Sequence, residues 1–210
     1  MLSGVVVGYD PGGNGAHGMA ELRVEGGRAK DLSTSTLDTV EEVIAALERL
    51  PSIAALGVDT LTCWGTGTSA WRPADLWLRK HYKAVQHSVM TPNGLFGSMG
   101  LNGMGVLISA RRRFPDVPVT KTHPKVLYWQ LSGKKYDYDT SKTGMDALLA
   151  GMLGISVAPA TEHEWDAAIS AFAALEGIAG RWSHDLHKLP IIKGERLITP
   201  CGSTHYFWPE

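Results

Sequence analysis

VVVGYDPGGNGAHG, residues 5–18, is the stretch around which the rest of this chain is organised. Three consecutive valines without a charge predict a strand that is buried on both faces. Pro11 and the two glycines after it end this strand, so Asp10 lies at its tip beside a glycine-rich turn. Burying a carboxylate there costs free energy unless it is paired or binds a metal. Asp10 is therefore either a turn cap bonded to nearby backbone N–H groups or a metal ligand.

The glycines at 13, 15 and 18 also match the fingerprint of dinucleotide-binding proteins, which requires a helix directly after the turn. Residues 19–25 instead alternate apolar and polar side chains, and Gly26-Gly27 is a two-residue hairpin signal. Residues 28–36 are a further strand candidate. The pattern predicts three antiparallel strands and argues against a nicotinamide cofactor.

The length of 210 residues fits a single domain, 1–210, with a C-terminal extension over residues 183–210 packed on it. A net charge of -1 with 44% hydrophobic residues indicates a globular protein without a global field for nucleic acid or membranes. Two cysteines, Cys63 and Cys201, are too few for a disulfide framework and favour a reducing cytoplasm. No apolar run approaches the roughly 20 residues of a membrane span, and residues 1–10 lack a signal sequence. We therefore expect a cytoplasmic protein with no membrane contact.

A second apolar strand, residues 53–58, also ends in a carboxylate, Asp59. If the two strands are neighbours and end together, Asp10 and Asp59 repel each other unless a divalent cation lies between them. The strongest helix signal is the alanine-rich segment 164–178, which carries Asp166 in its predicted first turn. A helix dipole favours an acid there without any function. This helix is nearly apolar all round, however, so we expect it to pack on the sheet near the strand tips.

The order of these elements resembles the ribonuclease H-like fold. More narrowly, the chain resembles the bacterial and archaeal family called domain of unknown function 429, whose members are predicted to be ribonuclease H-like nucleases. The motifs that carry the resemblance lie within residues 4–182 and are Gly8-Tyr9-Asp10, Val58-Asp59, Arg72-Pro73-Ala74-Asp75, His123-Pro124 and Asp166-Ala167-Ala168. The resemblance implies an α/β fold with a mixed five-stranded sheet, strands 1–3 antiparallel and the later ones parallel, flanked by helices.

In that superfamily, acids on the first strand, the fourth strand and the last helix bind two divalent metals. The resemblance thus implies catalytic and metal-binding roles for Asp10, Asp59 and Asp166. The implied cofactor is Mg²⁺ or Mn²⁺, because hard cations prefer carboxylate oxygens and phosphodiester hydrolysis develops negative charge on two oxygens.

One position departs from the family pattern, which has a glutamate two residues before the His-Pro motif. This chain has Lys121 there. Glu162, Glu164 and Glu21 are the candidates to replace the missing acid, and Glu162 is the one we assign as a further metal ligand. The number of ions, one or two, stays open. Lys121 is either a surface lysine or a phosphate contact.

The segment from Arg111 to Lys142 carries eight basic residues against three acids, an excess of +5. Four aromatic residues are interleaved with them, namely Tyr128, Trp129, Tyr136 and Tyr138. This combination suits phosphate contact with base stacking, and the alternative is a solvated helix face with a charged loop. The candidate substrate-binding residues are Arg72, Arg112, Lys121, His123 and Lys142. Arg72 is alternatively the partner of Asp75, three residues away on one helix face.

The leading hypothesis is a metal-dependent phosphodiester hydrolase, a nuclease acting on DNA or RNA. A second is nucleotide binding of the actin-like or sugar-kinase type, in which an aspartate and a glycine-rich hairpin cradle ATP phosphates. A third is a catalytically degenerate module that binds nucleic acid or protein, suggested by Lys121 and by the aromatic end His205-Tyr206-Phe207-Trp208. We expect that end to fold back onto the body or to meet a partner, such as a second copy in a homodimer.

Overall fold

The structure is a computed structural model that describes residues 2–13, 15–94 and 97–210. In chain order its strands are β1 (Gly4–Asp10), β2 (His17–Glu25), β3 (Arg28–Leu37), β4 (Ala55–Val58), β5 (Trp64–Gly65), β6 (Val119–Lys121), β7 (His184–Asp185), β8 (Leu197–Ile198) and β9 (Phe207–Trp208). The α-helices are α1 (Val40–Arg49), α2 (Pro73–His81), α3 (Gly97–Arg113), α4 (Pro124–Ser132), α5 (Tyr138–Leu153) and α6 (Glu162–Ile178). Short 3₁₀ turns occupy Lys83–Ser88, Pro92–Gly94 and Leu186–Lys188. Within the described ranges, no helix is both long enough and apolar enough to cross a membrane.

The central sheet has the strand order β3-β2-β1-β4-β6. β2 runs antiparallel to both β1 and β3, whereas β4 runs parallel to both β1 and β6. The hairpin between β2 and β3 turns at Gly26 and Gly27, whose φ angles of 58° and 77° are easily adopted only by glycine. This topology confirms the predicted α/β, ribonuclease H-like sheet. It also excludes the dinucleotide-binding alternative, because a strand follows the first turn.

Helices cover both faces of the sheet. The side chains of Val7 and Tyr9 pack with α1 and α3 on one face. The alternate residue Val6 packs in the larger core formed with α4, α5 and α6 on the other face. β1 is therefore buried on both sides, as its run of valines predicts.

Three glycines allow α6 to lie directly on the sheet. A Cβ atom on Gly18, Gly8 or Gly57 would collide with the backbone of α6, at His163, Ala167 and Ser170 respectively. These glycines lie on the adjacent strands β2, β1 and β4, so the helix crosses all three without intervening side chains. This close crossing places the first half of α6 over the ends of β1 and β4.

Two helix boundaries differ from the sequence prediction. α6 begins at Glu162 because the Thr161 side chain accepts a hydrogen bond from the backbone N–H of Glu164. Asp166 consequently lies in the second turn, and its predicted first-turn position was wrong. The sequence of residues 86–99, with its turn signal Pro92-Asn93-Gly94, predicts an irregular segment, but much of it is 3₁₀ turn or helix because α3 begins at Gly97. Residues 95 and 96 of that segment lie outside the described residues.

The aromatic C-terminus folds back onto the body of the protein. Tyr206 and Trp208 are buried, and the Trp208 indole donates a hydrogen bond of 2.7 Å to the Tyr82 hydroxyl. The backbone of His205 lies beside β6, where its carbonyl accepts a hydrogen bond from the Lys121 N–H. The two buried aromatic side chains are thus used within this chain.

Candidate functional site

Three aspartates converge at one end of the sheet. β1 and β4 are parallel neighbours, and the backbone N–H of Asp59 donates to the Tyr9 carbonyl at 3.0 Å. Asp10 and Asp59 therefore end adjacent strands side by side. The crossing of α6 over these strands adds Asp166. One carboxylate oxygen from each aspartate lies within 4.8 Å of the other two.

The three carboxylates fit a hard divalent cation. Two oxygens that bind the same Mg²⁺ at roughly 2.1 Å lie at most about 4.2 Å apart, so a small inward rotation brings the observed side chains into range. The candidate metal ligands are all carboxylate oxygens, which bind Mg²⁺ and Mn²⁺, whereas zinc sites are usually rich in histidine or cysteine. In the part of the chain that the structure describes, no other group of three or more acidic, histidine or cysteine side chains is arranged in this way.

A polar group accompanies each aspartate. The His163 ring, through Nδ1, donates to Asp10 at 2.5 Å, and the Tyr136 hydroxyl donates to Asp166 at 2.6 Å. The Lys121 ammonium lies 3.9 Å from a carboxylate oxygen of Asp59. His163 lies three residues before Asp166 on α6, so the sequence alone places both side chains on the same face of the helix. Tyr136 has no such local signal, because a loop and a whole helix separate it from Asp166.

Burial and mutual repulsion perturb the two most buried carboxyl groups. Burial, reinforced by the charge of Asp59, raises the pKa of Asp10 to about 6, although the hydrogen bond from His163 acts in the opposite direction. Burial together with the charges of Asp10 and Asp59 also raises the pKa of Asp166 well above its ordinary value. The hydrogen bond to Asp10 in turn raises the pKa of His163. A bound cation would favour the ionised form of all three aspartates.

Lys121 is buried, so the surface-lysine alternative for this position was wrong. Its side chain is 5% exposed, and its ammonium donates to the Thr122 carbonyl at 2.9 Å. The ammonium also lies 5.4 Å from the centre of the Tyr206 ring, which connects it to the folded C-terminus. Burial, with the nearby charge of Arg72, lowers the pKa of Lys121 to about 8.

Arg72 and His123 lie on the same side of the aspartates as Lys121. The Arg72 guanidinium makes two hydrogen bonds of 2.7 Å to the Asp75 carboxylate, which is the predicted ion pair. His123 precedes α4 and hydrogen-bonds through Nε2 to the Ser88 carbonyl at 3.1 Å. Burial lowers the pKa of His123 to about 4, so the ring is neutral at pH 7. Asp59, Arg72, Lys121 and His123 line one cavity of about 280 Å³.

The remaining predicted residues are not among those that line this cavity. Glu162 is outside the aspartate group and pairs with Lys125 at 3.4 Å. Lys142 pairs with Asp146 at 2.5 Å on α5. Arg112 lies about 18 Å further along α3 than Gly100, the residue of that helix that borders the cavity.

The aromatic residues of the basic segment serve packing. Tyr128 and Tyr138 are buried, and both rings contact Trp165 of α6. The expectation that they stack on bases was therefore wrong. Arg111 similarly donates hydrogen bonds to the carbonyls of Cys201 and Ser203, which tie α3 to the C-terminal segment.

A larger depression, of about 650 Å³, lies at the opposite end of the sheet. It is bordered by the β2–β3 turn at Gly27, by Met152 and by Trp182. The aspartate group is not part of it. The chemistry of the side chains, and not the size of the opening, therefore identifies the candidate site.

Comparison with known proteins gives a fold-level likeness. No family model matches this chain, and no curated protein matches it either. Two solved structures of Thermus thermophilus RuvC are similar to 84% of this chain at 21% sequence identity. The match to the first structure covers 97% of that RuvC chain, with a TM-score of 0.48. The second, RuvC in complex with a Holliday junction substrate, covers 96% with a TM-score of 0.49. At this level of similarity, function has to be argued from the site itself.

Proposed function

We propose that this protein is a divalent-metal-dependent phosphodiester hydrolase in which Asp10, Asp59 and Asp166 bind the metal. The observation that carries the proposal is the convergence of their carboxylate oxygens within 4.8 Å. Acids brought together from distant parts of the chain repel one another, and burial of Asp10 and Asp166 increases that cost. Such perturbed groups, gathered at one end of a sheet, are typical of functional sites.

The residues present fit Mg²⁺ or Mn²⁺. Such an ion, when bound, supplies positive charge that stabilises the attacking and leaving oxygens of a phosphoryl group. In the hydrolysis, a water oxygen bonds to phosphorus, one P–O ester bond breaks, and the leaving oxygen takes a proton. The products are a phosphomonoester and an alcohol. The hydrogen bonds from His163 and Tyr136 hold Asp10 and Asp166 in orientation, as outer groups do at metal sites.

We propose that the substrate is a nucleic acid, DNA or RNA, which makes the protein a nuclease. Arg72 and Lys121 line the cavity beside Asp59, together with Lys125, so cationic groups adjoin the aspartates on one side. Such groups contact phosphates in nucleic-acid complexes. His123 belongs to the same wall. Arg112 and Lys142 are candidate contacts for a longer stretch of nucleic acid.

Two broader assignments accompany this proposal. Membership of the domain of unknown function 429 family rests on the short motifs, of which Arg72–Asp75 and His123 meet in one cavity next to Asp59. A cytoplasmic location is supported by Cys63 and Cys201, which are both free and buried.

A cleavage assay tests the proposed function. Labelled single-stranded and double-stranded DNA and RNA are incubated with the protein in Mn²⁺, in Mg²⁺ and in EDTA. We expect metal-dependent cleavage of at least one substrate class, lost in EDTA and in Asp10→Asn. Asp31→Asn, an exposed position on β3, is the matched control and is expected to cleave normally.

Other outcomes would contradict the proposal. Cleavage retained by Asp10→Asn removes the assignment of the site. Tight, salt-sensitive nucleic-acid binding without turnover in Mn²⁺ favours the degenerate binding module. Thermal stabilisation by ATP with Mg²⁺, and not by nucleic acid, favours the nucleotide-binding alternative.

A further inference from the structure

The cavity beside the aspartates has a composition of its own. Its walls come from Asp59, directly after β4, from Arg72, directly before α2, from Lys121 at the end of β6 and from His123, directly before α4. Asp59 is shared with the metal site, whereas Asp10 and Asp166 are not among the residues that line the cavity. A group bound in the cavity would therefore lie next to the metal position and not on it.

The cations of this cavity retain unused hydrogen-bond donors. Arg72 is 4% exposed at its side chain and spends Nε and Nη2 on Asp75. Its third nitrogen, Nη1, is buried and has no hydrogen-bond partner among the described residues. A buried donor without a partner is unfavourable, and a ligand that accepts a hydrogen bond from it removes that cost. The Lys121 ammonium has three N–H groups and donates one of them to the Thr122 carbonyl, which leaves donors for a ligand.

Two helices also begin at this cavity. Arg72 and His123 are the N-cap residues of α2 and α4, and neither side chain caps its helix. Both helices begin with a proline, Pro73 and Pro124, which has no N–H, so their N-terminal ends favour anions through the partial positive charge of the helix dipole. The acids of the cavity are balanced, since Asp75 pairs with Arg72 while Asp59 faces Lys121 and the metal position. The lining as a whole suits an anion.

The burial of these cations restricts which anion can reach them. Arg72 and Lys121 are 3% and 4% exposed, so a phosphate contacts them only by entering the cavity. The volume of about 280 Å³ is slightly below the range of roughly 300–1,000 Å³ that is typical of small-molecule sites. A phosphate within a strand is bonded to a nucleotide on each side, and a cavity of this volume would have to accommodate both. A terminal phosphate has a single connection and carries about −1.5 to −2 charges at pH 7, which suits two buried cations.

We propose that this cavity binds the terminal phosphate of a nucleic-acid strand, so that the hydrolase acts from strand ends. This inference rests on the proposed function and specifies its substrate as a strand with a phosphorylated end. The scissile phosphate then lies at the aspartates, next to the terminal phosphate on Arg72 and Lys121.

A binding experiment tests the cavity independently of turnover. Asp10→Asn is titrated in Mn²⁺ against internally labelled oligonucleotides with a 5′-phosphate, a 3′-phosphate or hydroxyls at both ends, and affinity is read by fluorescence anisotropy. We expect one phosphorylated end to bind at least 10-fold more tightly than the hydroxyl ends. Inorganic phosphate is expected to remove this preference by competition.

Substitutions in the same background assign the preference to the cavity. Lys121→Met, a replacement of similar length without charge, is expected to abolish it. Arg72→Lys keeps a cation for Asp75 but lacks the free Nη1 group, and provides a second variant should Lys121→Met fail to fold. Lys188→Met removes an exposed lysine outside the cavity and is expected to keep the preference. Equal affinity for all ends, or a preference that survives both cavity substitutions, overturns the inference.

Cleavage by the wild-type protein separates this inference from the proposed function. Linear strands with the preferred phosphate are expected to be degraded in Mn²⁺, and covalently closed circles at least 100-fold more slowly. Circles cleaved as fast as linear strands refute end-directed action while the hydrolase assignment stands. A phosphate-end preference without any cleavage refutes the hydrolase while the cavity assignment stands.

Discussion

Replacing Asp10 by asparagine is expected to stabilise the metal-free protein at pH 8. Burial and the neighbouring charge of Asp59 raise the pKa of Asp10 to about 6 in the folded state, against an ordinary value of 3.8. Between these values the folded state holds a proton that the unfolded state has released. The free energy of unfolding therefore falls as the pH rises through this window. Asparagine cannot ionise, so the variant escapes this loss.

The size of the effect follows from the pKa shift. A rise in the pKa of Asp10 from 3.8 to about 6, at roughly 1.4 kcal/mol for each tenfold change in the equilibrium, gives about 3 kcal/mol. The side chain of Asp10 is 4% exposed, so solvent screens this cost little. For a chain of this size, about 3 kcal/mol corresponds to a rise in Tm of roughly 6–12 °C. The asparagine carbonyl still accepts the hydrogen bond from His163.

Thermal melts in EDTA at pH 4 and pH 8 measure the difference. The two proteins are expected to melt at similar temperatures at pH 4, and Asp10→Asn at a higher temperature at pH 8. Asp31→Asn controls for the loss of a surface charge. Saturating Mn²⁺ should raise the Tm of the wild type more than that of the variant. At 100 times Kd, the bound ion stabilises the wild type by about 2.7 kcal/mol. A variant at pH 8 in EDTA that is no more stable than the wild type would refute the reasoning.

Two further substitutions test the surroundings of the aspartates. Tyr136→Phe removes the hydroxyl that donates to Asp166, so the carboxylate becomes harder to ionise. The affinity for Mn²⁺ at pH 7, measured by calorimetry, is expected to fall about 10–100-fold. An unchanged affinity would contradict this role of Tyr136. Gly8→Ala places a Cβ against the Ala167 carbonyl and is expected to cost at least about 3 kcal/mol in chemical unfolding. In the control Gly144→Ala the added Cβ meets open space within α5, and this variant is expected to be up to about 1 kcal/mol more stable than the wild type. A Gly8→Ala protein as stable as the wild type would disprove the close crossing of α6 over the sheet.

The sequence predicted the elements whose residues carry a periodic pattern. The apolar runs before Asp10 and Asp59 indicated two strands with acids at their tips, and the structure places these strands side by side. The alanine-rich helix with Asp166 was expected on the sheet near those tips and lies there. Each inference needed only local hydrophobicity and the geometry of parallel neighbours.

What the sequence left undetermined depends on contacts between distant segments. Lys121 is the last residue of the short strand β6, and no local pattern indicates its burial, which arises from the C-terminal segment folding over it at Tyr206. Tyr136 was counted among the residues for base stacking because its neighbours are basic. Its actual partner, Asp166, is 30 residues away. The excess of basic residues was equally misleading at Arg111, whose guanidinium binds backbone carbonyls of the same chain.

The central claim is that Asp10, Asp59 and Asp166 jointly bind a divalent ion. A crystal of the protein soaked in Mn²⁺, with data collected near the manganese absorption edge, tests it most directly. We predict an anomalous peak within coordination distance of one oxygen from each aspartate, and its loss in Asp10→Asn crystals. Manganese peaks only at other positions, with the three carboxylates unliganded at saturating Mn²⁺, would contradict the account.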